Sequence, residues 1–593
     1  MATAEQTHEG DLPAASTPPT SHASRRSVWP ALAVVLLGGL GLRLWGVRQG
    51  LPYAYNADEA DHFVPHAIKM FVQGTLNPHY FANPPGFTYV LHWLFALWYG
   101  GVNGAVRAFA LHPEAVYTLA RVASALLGTI ALWLLYLTGA RLWGRAVGLL
   151  AAAIEAVAFL PVFYAHLALN DAPTLAPATL SLLGTAGVLR KGRARDYLLA
   201  GIGLGLACAT KYTAGIVLVP LLVAAGARYL DGGPGVLWRS LAGLAFAGLC
   251  ALAGFFIANP YALLDYSAFH GELIHQSTLS AESQGKLGAP KAGGLIYYLW
   301  SFTWGLGWGP SLAALGGAVA VWRDERRTGW LLVPATLAFI LFMGLQGRYF
   351  GRWLMPIFPI VCLLGAFFVV RAIDWCARAQ GGKTLRGVLA TLFVGALLIQ
   401  GFVYSVHSGL VLSRADTRNL TRQWMLAHIP AGAKIVAEPV EPEEWAREVI
   451  PGRPTAHNPL RWQLYPALFR RITSSGAIAP NYLRPEAGLE NYETTLHPAL
   501  INFYEREGYC WVITGSTESG RAFSDRKAVP GAIAYYRRLA HAGAVVYRSS
   551  PYGHGDGRVA FNFDWSFDYY PLAYKRPGPQ MTIYRLRAGR CKT

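Results

Sequence analysis

The recurrence of long apolar runs restricts this chain more than any other feature. A helix needs about 17–25 largely apolar residues to cross a bilayer core. Runs of that kind lie near 117–139, 146–168, 172–189, 197–210, 213–229, 236–258, 294–321, 329–346, 352–373 and 386–408, the run at 197–210 being short. Trp29 to about Trp45 precedes them and lacks a small-residue cleavage site, so it reads as an anchor and not a removed leader. The expectation is a multi-spanning α-helical membrane protein with about eleven spans. Hydrophobic residues make up 53% and charged residues 14% of the 593, which agrees. The net charge of +18 would suggest nucleic acid in a soluble protein. Here the cations gather at the ends of apolar runs, where they orient helices, and no nucleic-acid motif accompanies them.

Those cations fix the sides. Arg141 and Arg145 form one basic turn, and Arg190, Lys191, Arg193 and Arg195 another. Arg228 with Arg239, then Arg323, Arg326 and Arg327, then Arg371, Arg378, Lys383 and Arg386 complete the set. One further apolar run, Gly86 to Val102, decides the parity. If it crosses, all later basic turns move outside. If it lies along the membrane surface, as its Trp and Tyr content favours, all five fall inside. The second choice puts residues 1–27, rich in Ala, Ser, Thr and Pro, in the cytoplasm as a disordered tail. It leaves residues 28–408 as the membrane unit. Residues 409–593, more charged, with β-like runs at Lys434–Ala437, Trp511–Thr514, Ala544–Tyr547 and Met581–Leu586 and an amphipathic helix at 417–428, form an extracytoplasmic α/β domain. Cys510 and Cys591 belong to that region and pair only if geometry and compartment permit.

The same topology gathers isolated polar groups at the outer ends of helices. The segment Pro52–Pro85 carries Asp58, Glu59, Asp61, His62, His66 and His79. Asn56 followed by acids is good helix-capping chemistry, and it is also what a general base at a membrane surface requires. Asp171 in HLALNDAPT raises the same choice between cap and second acid. Lys211 in CATKYTAG and Arg348 and Arg352 in QGRYFGRWLMPIFP are external cations, able to hold a phosphate or simply to snorkel; Arg121 is a weaker candidate. His270, Glu272 and His275 lack the spacing of a metalloprotease helix, so the sequence requires no metal or other cofactor and gives a divalent ion no support. Glu155 lies mid-span with no partner visible in sequence.

Taken in order, Asp58-Glu59, NPPGFTYVLHWL, RVASALLGTIALWLLYLTGARLWGR, HLALNDAPT, GLACATKYTAG and RWLMPIFP resemble glycosyltransferase family 39. That family comprises the dolichyl-phosphate-mannose protein mannosyltransferases and the lipid A aminoarabinose transferases. The resemblance spans roughly residues 30–410 and is to a bacterial-type member. It implies a GT-C fold, a polyprenyl-phosphate-sugar donor and inverting transfer on the extracytoplasmic face of the plasma (inner) membrane. By position, Asp58 takes the catalytic place and Asp171 the second acidic site, with Glu59 supporting. Lys211 and Arg352 match the donor-phosphate positions. Trp353 stands where the family often has Tyr. Residues 409–593 do not resemble the sugar-binding repeats of the eukaryotic members, so glycan, lipid and protein acceptors all stay open. The competing class is a transporter or flippase of lipid-linked sugars, which would keep its polar site near mid-membrane between repeats. A phosphatase reporter fused after residue 408 is expected to be active outside the cytoplasm; a cytoplasmic signal would overturn the parity argument.

Overall fold

The computed structural model describes residues 28–592 except 231–233, 282–286, 288–292, 381–382, 441, 466–488 and 554–569. The expectation for residues 1–27 lies outside the described residues. Among the described residues, seven helical stretches are long and apolar enough to cross a membrane: Pro113–Trp143, Asp171–Arg190, Tyr212–Leu230, Val236–Ala258, Arg326–Gly344, Gly351–Cys376 and Arg386–His428. The remaining expected runs are shorter or broken. Trp29–Leu44 has 16 residues and Ala194–Thr210 has 17. The latter packs very closely between its neighbours: a Cβ at Gly201 or Gly205 would collide with the carbonyl oxygen of Ala247 or Ala251. Close backbone approach of this kind is how small residues hold membrane helices together.

The run 146–168 divides into Arg145–Val157 and Phe159–Tyr164, with Ala158 extended between them. Pro161 accounts for the break, because its ring clashes with the carbonyl four residues earlier, that of Val157. The freed Val157 oxygen accepts a hydrogen bond from Ser405 Oγ at 2.9 Å. The run 294–321 divides into Gly294–Phe302, a wide turn at Thr303–Gly307, and Trp308–Asp324, with Gly307 at φ +113°. Gln400 bridges this break, donating to Thr303 O at 2.8 Å and accepting from Trp308 N at 2.8 Å. Both repairs come from one helix, Lys383–Leu412.

Gly86–Trp98 has 13 residues, about 20 Å of helix against a hydrocarbon core of about 30 Å. Phe87, Leu91 and Phe95 are buried while Trp93, Leu97 and Trp98 are exposed, a two-faced helix suited to an interface. Glu155 has a neighbour that sequence did not reveal. Arg43, also fully buried, donates to the Glu155 and Ala156 carbonyl oxygens at 3.2 and 3.1 Å.

The C-terminal residues build a sheet from β1 (Lys434–Ala437), β2 (Gln463–Leu464), β3 (Trp511–Gly515), β4 (Gly543–Ser549) and β5 (Met581–Leu586), in spatial order β2-β1-β3-β5-β4. β1 runs parallel to β2 and β3; β5 runs antiparallel to β3 and β4. The amphipathic helix is Thr417–His428, capped by Asp416, whose carboxylate accepts from Arg418 N. One sheet face buries Trp445, Trp462, Ile435 and Ile583, and with them Tyr53 from the acidic segment. The other buries Tyr492, Ile501, Tyr504 and Tyr535. Cys510 and Cys591 form a disulfide with Cα atoms 5.3 Å apart.

Beyond the ends of β1 and β3 sit three buried carboxyls, Glu438, Glu493 and Glu518, with Arg521 among them. Arg521 pairs with Glu493 and Glu518, while Glu438 accepts from Tyr536 Oη and Gly515 N. Burial pushes Glu493 up to about 7 and Glu518 up to about 8, and Glu438 well above its usual range. A carboxyl raised in the folded state contributes most below its unfolded value, and that contribution is lost as pH rises through the folded one. The sheet region is therefore expected to lose stability between about pH 5 and pH 8. Thermal unfolding of the full chain should show a drop on the order of several degrees over that range, flatter in Glu518→Gln.

Candidate active site

One cavity of about 650 Å3 opens at the end of the helix bundle where the acidic segment lies. Asp58, Asp171, Lys211, Arg348 and Arg352 all line it. They arrive from four separate stretches, and each sits where a helix begins or is interrupted.

Asn56 Oδ1 accepts from Glu59 N at 3.2 Å, so it caps the helix that runs on through Gln73. The capping is done by Asn56, and the Asp58 side chain makes no cap hydrogen bond. The first turns are widened into a π-helical stretch, Glu59–Phe63, a distortion that frequently marks functional sites. Successive helical residues point about 100° apart. Glu59 turns into the protein, and Asp58 faces the cavity with 40% of its side chain exposed. Its Oδ2 accepts from Arg352 Nη2 at 2.8 Å, and its Oδ1 lies 3.8 Å from His62 Nε2.

Asp171 opens the helix Asp171–Arg190, but its carboxylate does not cap that helix. It is ion-paired with Lys211 Nζ and lies 3.8 Å from Arg352 Nε. Asn170 is also diverted, donating to Thr210 O at 2.7 Å. Lys211 occupies the extended residue between Ala194–Thr210 and the 3-10 turn Tyr212–Val217. Burial pulls its ammonium down, and the adjacent Asp171 carboxylate opposes that. Arg352 belongs to the 3-10 stretch Gly351–Ile357 and stacks its guanidinium over Phe350 at 4.5 Å. Arg348 Nε is buried with no hydrogen-bond partner among the described residues.

Arg121, a candidate for donor phosphate, and Glu59, expected to support Asp58, do not line the cavity. Both are fully buried and grip each other through two 2.7 Å bonds. Arg121 Nη1 also donates to Val47 O and Gln49 O at 2.9 and 2.8 Å, and Glu59 Oε1 accepts from Ala168 N at 2.8 Å. The two charges are buried against each other and turned away from the cavity. Glu272 is likewise structural, accepting from the backbone N–H groups of Phe81 and Ala82. Sequence gave no task to the histidines. His62 and His66 sandwich the Tyr80 ring, each centroid at 4.8 Å, and His62 lines the cavity. Their i, i+4 spacing was the available signal. Gln276, Ser277 and Ser280, from the helix Tyr266–Ala281, also line the cavity and carried no recognisable motif.

The basic turns lie at the opposite end. Asp171 and Arg190 terminate one 20-residue helix, about 30 Å apart. Arg121 and Arg141 are similarly spaced along Pro113–Trp143. At that far end Arg141 pairs with Asp196 at 3.2 Å, Arg190 with Glu325 at 3.4 Å, and Arg371 with Asp324 at 2.5 Å.

The overall fold is similar to that of known proteins. The architecture is that of the GT-C membrane glycosyltransferases. It is similar to the Archaeoglobus fulgidus oligosaccharyltransferase in the apo form, with TM-score 0.50, 13% identity, and coverage of 89% of this chain and 74% of that one. ArnT from Cupriavidus metallidurans bound to undecaprenyl phosphate gives TM-score 0.47 at 13% identity, covering 94% and 97%. Within that class, residues 109–259 match the family model described as dolichyl-phosphate-mannose-protein mannosyltransferase. No curated protein sequence matches the chain.

Removing one partner of a buried ion pair costs about 3–5 kcal/mol. Arg121→Met is therefore expected to abolish most folded protein, read by size-exclusion and melting in detergent. Arg348→Ala, with no such bonds to lose, should leave the melting temperature near that of the parent.

Proposed function

We propose that this chain is an integral-membrane glycosyltransferase that moves a sugar from a polyprenyl-phosphate carrier to an acceptor hydroxyl on the extracytoplasmic side, with inversion. The observation that carries the reading is the convergence of two carboxylates and three cations on one cavity. Asp58 is the general base. It takes the proton as the acceptor oxygen attacks the anomeric carbon, and the bond from that carbon to the phosphate oxygen breaks in the same displacement. The electron pair leaves on the lipid phosphate, whose charge Lys211, Arg348 and Arg352 bind. Asp171 holds Lys211 and Arg352 in position through their ion pairs.

Charge balance supports this assignment. The five named groups sum to one net positive charge, which suits a singly charged phosphodiester. Arg348, with its buried Nε unpartnered among the described residues, is the cation most ready to receive it. Phe342 lines the cavity and is also 55% exposed on the helix Arg326–Gly344, an apolar exit for a prenyl chain. The C. metallidurans ArnT structure contains undecaprenyl phosphate, a ligand of the class proposed here.

The outward orientation rests on two supports. The basic turns occupy the end of the bundle opposite the cavity, as expected of a cytoplasmic face. The Cys510–Cys591 disulfide suits an oxidising compartment. Residues 28–408 are then the catalytic membrane unit, 409–593 an outer domain, and the host membrane the plasma (inner) membrane. A flippase fits less well, because the polar groups gather at helix ends and not at mid-membrane.

Transfer from a polyprenyl-phosphate-sugar in membranes tests the roles. Asp58→Asn should lower kcat by roughly 10²–10⁴ while the protein stays folded. Arg348→Ala should mainly raise the KM for donor. A folded, fully active Asp58→Asn enzyme would refute the mechanism.

A further inference from the structure

Behind the acidic segment lies a second cavity, of about 150 Å3. Its floor is formed by residues that follow parallel strands: Pro439 and Val440 after β1, Thr517 and Glu518 after β3. Ligands of parallel sheets sit beyond the carboxyl ends of the strands. Its roof is the turn that leads into the candidate base: Tyr55, Asn56, Ala57, Ala60 and Asp61. Asn56 and Ala57 line both cavities, so the two share a wall immediately beside Asp58.

Glu518 gives this cavity a polar demand. Its side chain is 1% exposed, and Oε1 accepts from Arg521 at 3.3 Å. Its Oε2 is buried with no hydrogen-bond partner among the described residues. Leaving such an oxygen unpaired is unfavourable, and a donor from a bound molecule would relieve it. The one cation at the rim, Arg418, is already bound through both ends of its fork by Asp416, at 2.9 and 2.8 Å, so an anionic group finds no free charge there. Aromatic rings of Tyr55, Phe163 and Tyr570 supply flat apolar wall.

We propose that this cavity is an acceptor subsite that holds one neutral sugar ring of a carbohydrate acceptor, with a hydroxyl donating to Glu518 Oε2. The proposal rests on the glycosyltransferase reading above and adds the acceptor class. The volume suits a single ring and excludes a lipid chain. A peptide added as a strand would need an open sheet edge, and the edge strands β2 and β4 do not contribute. Burial pushes Glu518 up to about 8, so its carboxyl is able to donate as well as accept toward hydroxyls, which do both.

Saturation-transfer NMR on the full chain in lipid nanodiscs tests this, with methyl mannoside, methyl glucoside and methyl galactoside as probes and a capped Ser-Thr-Ser peptide beside them. At least one glycoside should receive saturation in the parent. That saturation should fall roughly fivefold or more in Glu518→Ala and in Asp61→Ala. Asp61 is surface-exposed, so its variant keeps the test valid if Glu518→Ala fails to fold. Saturation of no glycoside, of the peptide alone, or of a glycoside that ignores both substitutions overturns the subsite. Because the readout is binding, a protein that holds the glycoside yet transfers no sugar would refute the proposed reaction and leave the subsite standing.

Discussion

The buried pair of Glu59 and Arg121 is the interaction on which the rest of the site depends. It joins the end of the first helix, the acidic segment, the helix Pro113–Trp143 and the backbone at Ala168 in one set of hydrogen bonds. Two charges removed from water are tolerated only when geometry and additional bonds are this complete. The pair sets the rotation of the helical turn that carries Asp58. With Glu59 fixed inward, its neighbour has to face the cavity. The charged residue that looks most like a catalytic partner in sequence is therefore the one that aims the other.

Interrupted helices are the second organising constraint. In a membrane, irregular backbone persists only where protein satisfies its polar groups or where it lines a polar cavity. Both cases occur. Ser405 and Gln400 satisfy the breaks caused near Pro161 and Gly307. Lys211 and Arg352 instead stand at 3-10 interruptions that open on the cavity. A continuous helix would direct these two cations into lipid or into packed core.

Much of this was legible in the chain. The four long β-like runs are strands, the amphipathic run is the helix Thr417–His428, and the apolar run at Gly86 is too short to cross. Asp58, Asp171, Lys211, Arg348 and Arg352 were visible because each is an isolated charge at a helix end, where the apolar background gives it contrast. What escaped depends on contacts between distant residues. Nothing local distinguishes Glu59 from Asp58, or tells that Arg121 spends its fork on a segment more than sixty residues away. The bonds that repair broken helices are equally non-local, and the runs 146–168 and 294–321, each read as one span, are divided in the structure. Strand β2, of two residues, is too short for any periodicity.

The helix Tyr266–Ala281 touches the acidic segment at one place, where Glu272 accepts from the backbone of Phe81 and Ala82, and Asp265 just before it accepts from Asn77. The same helix supplies part of the cavity wall. One helix therefore both walls the cavity and fastens the segment that carries Asp58, so a change in its position is felt at both.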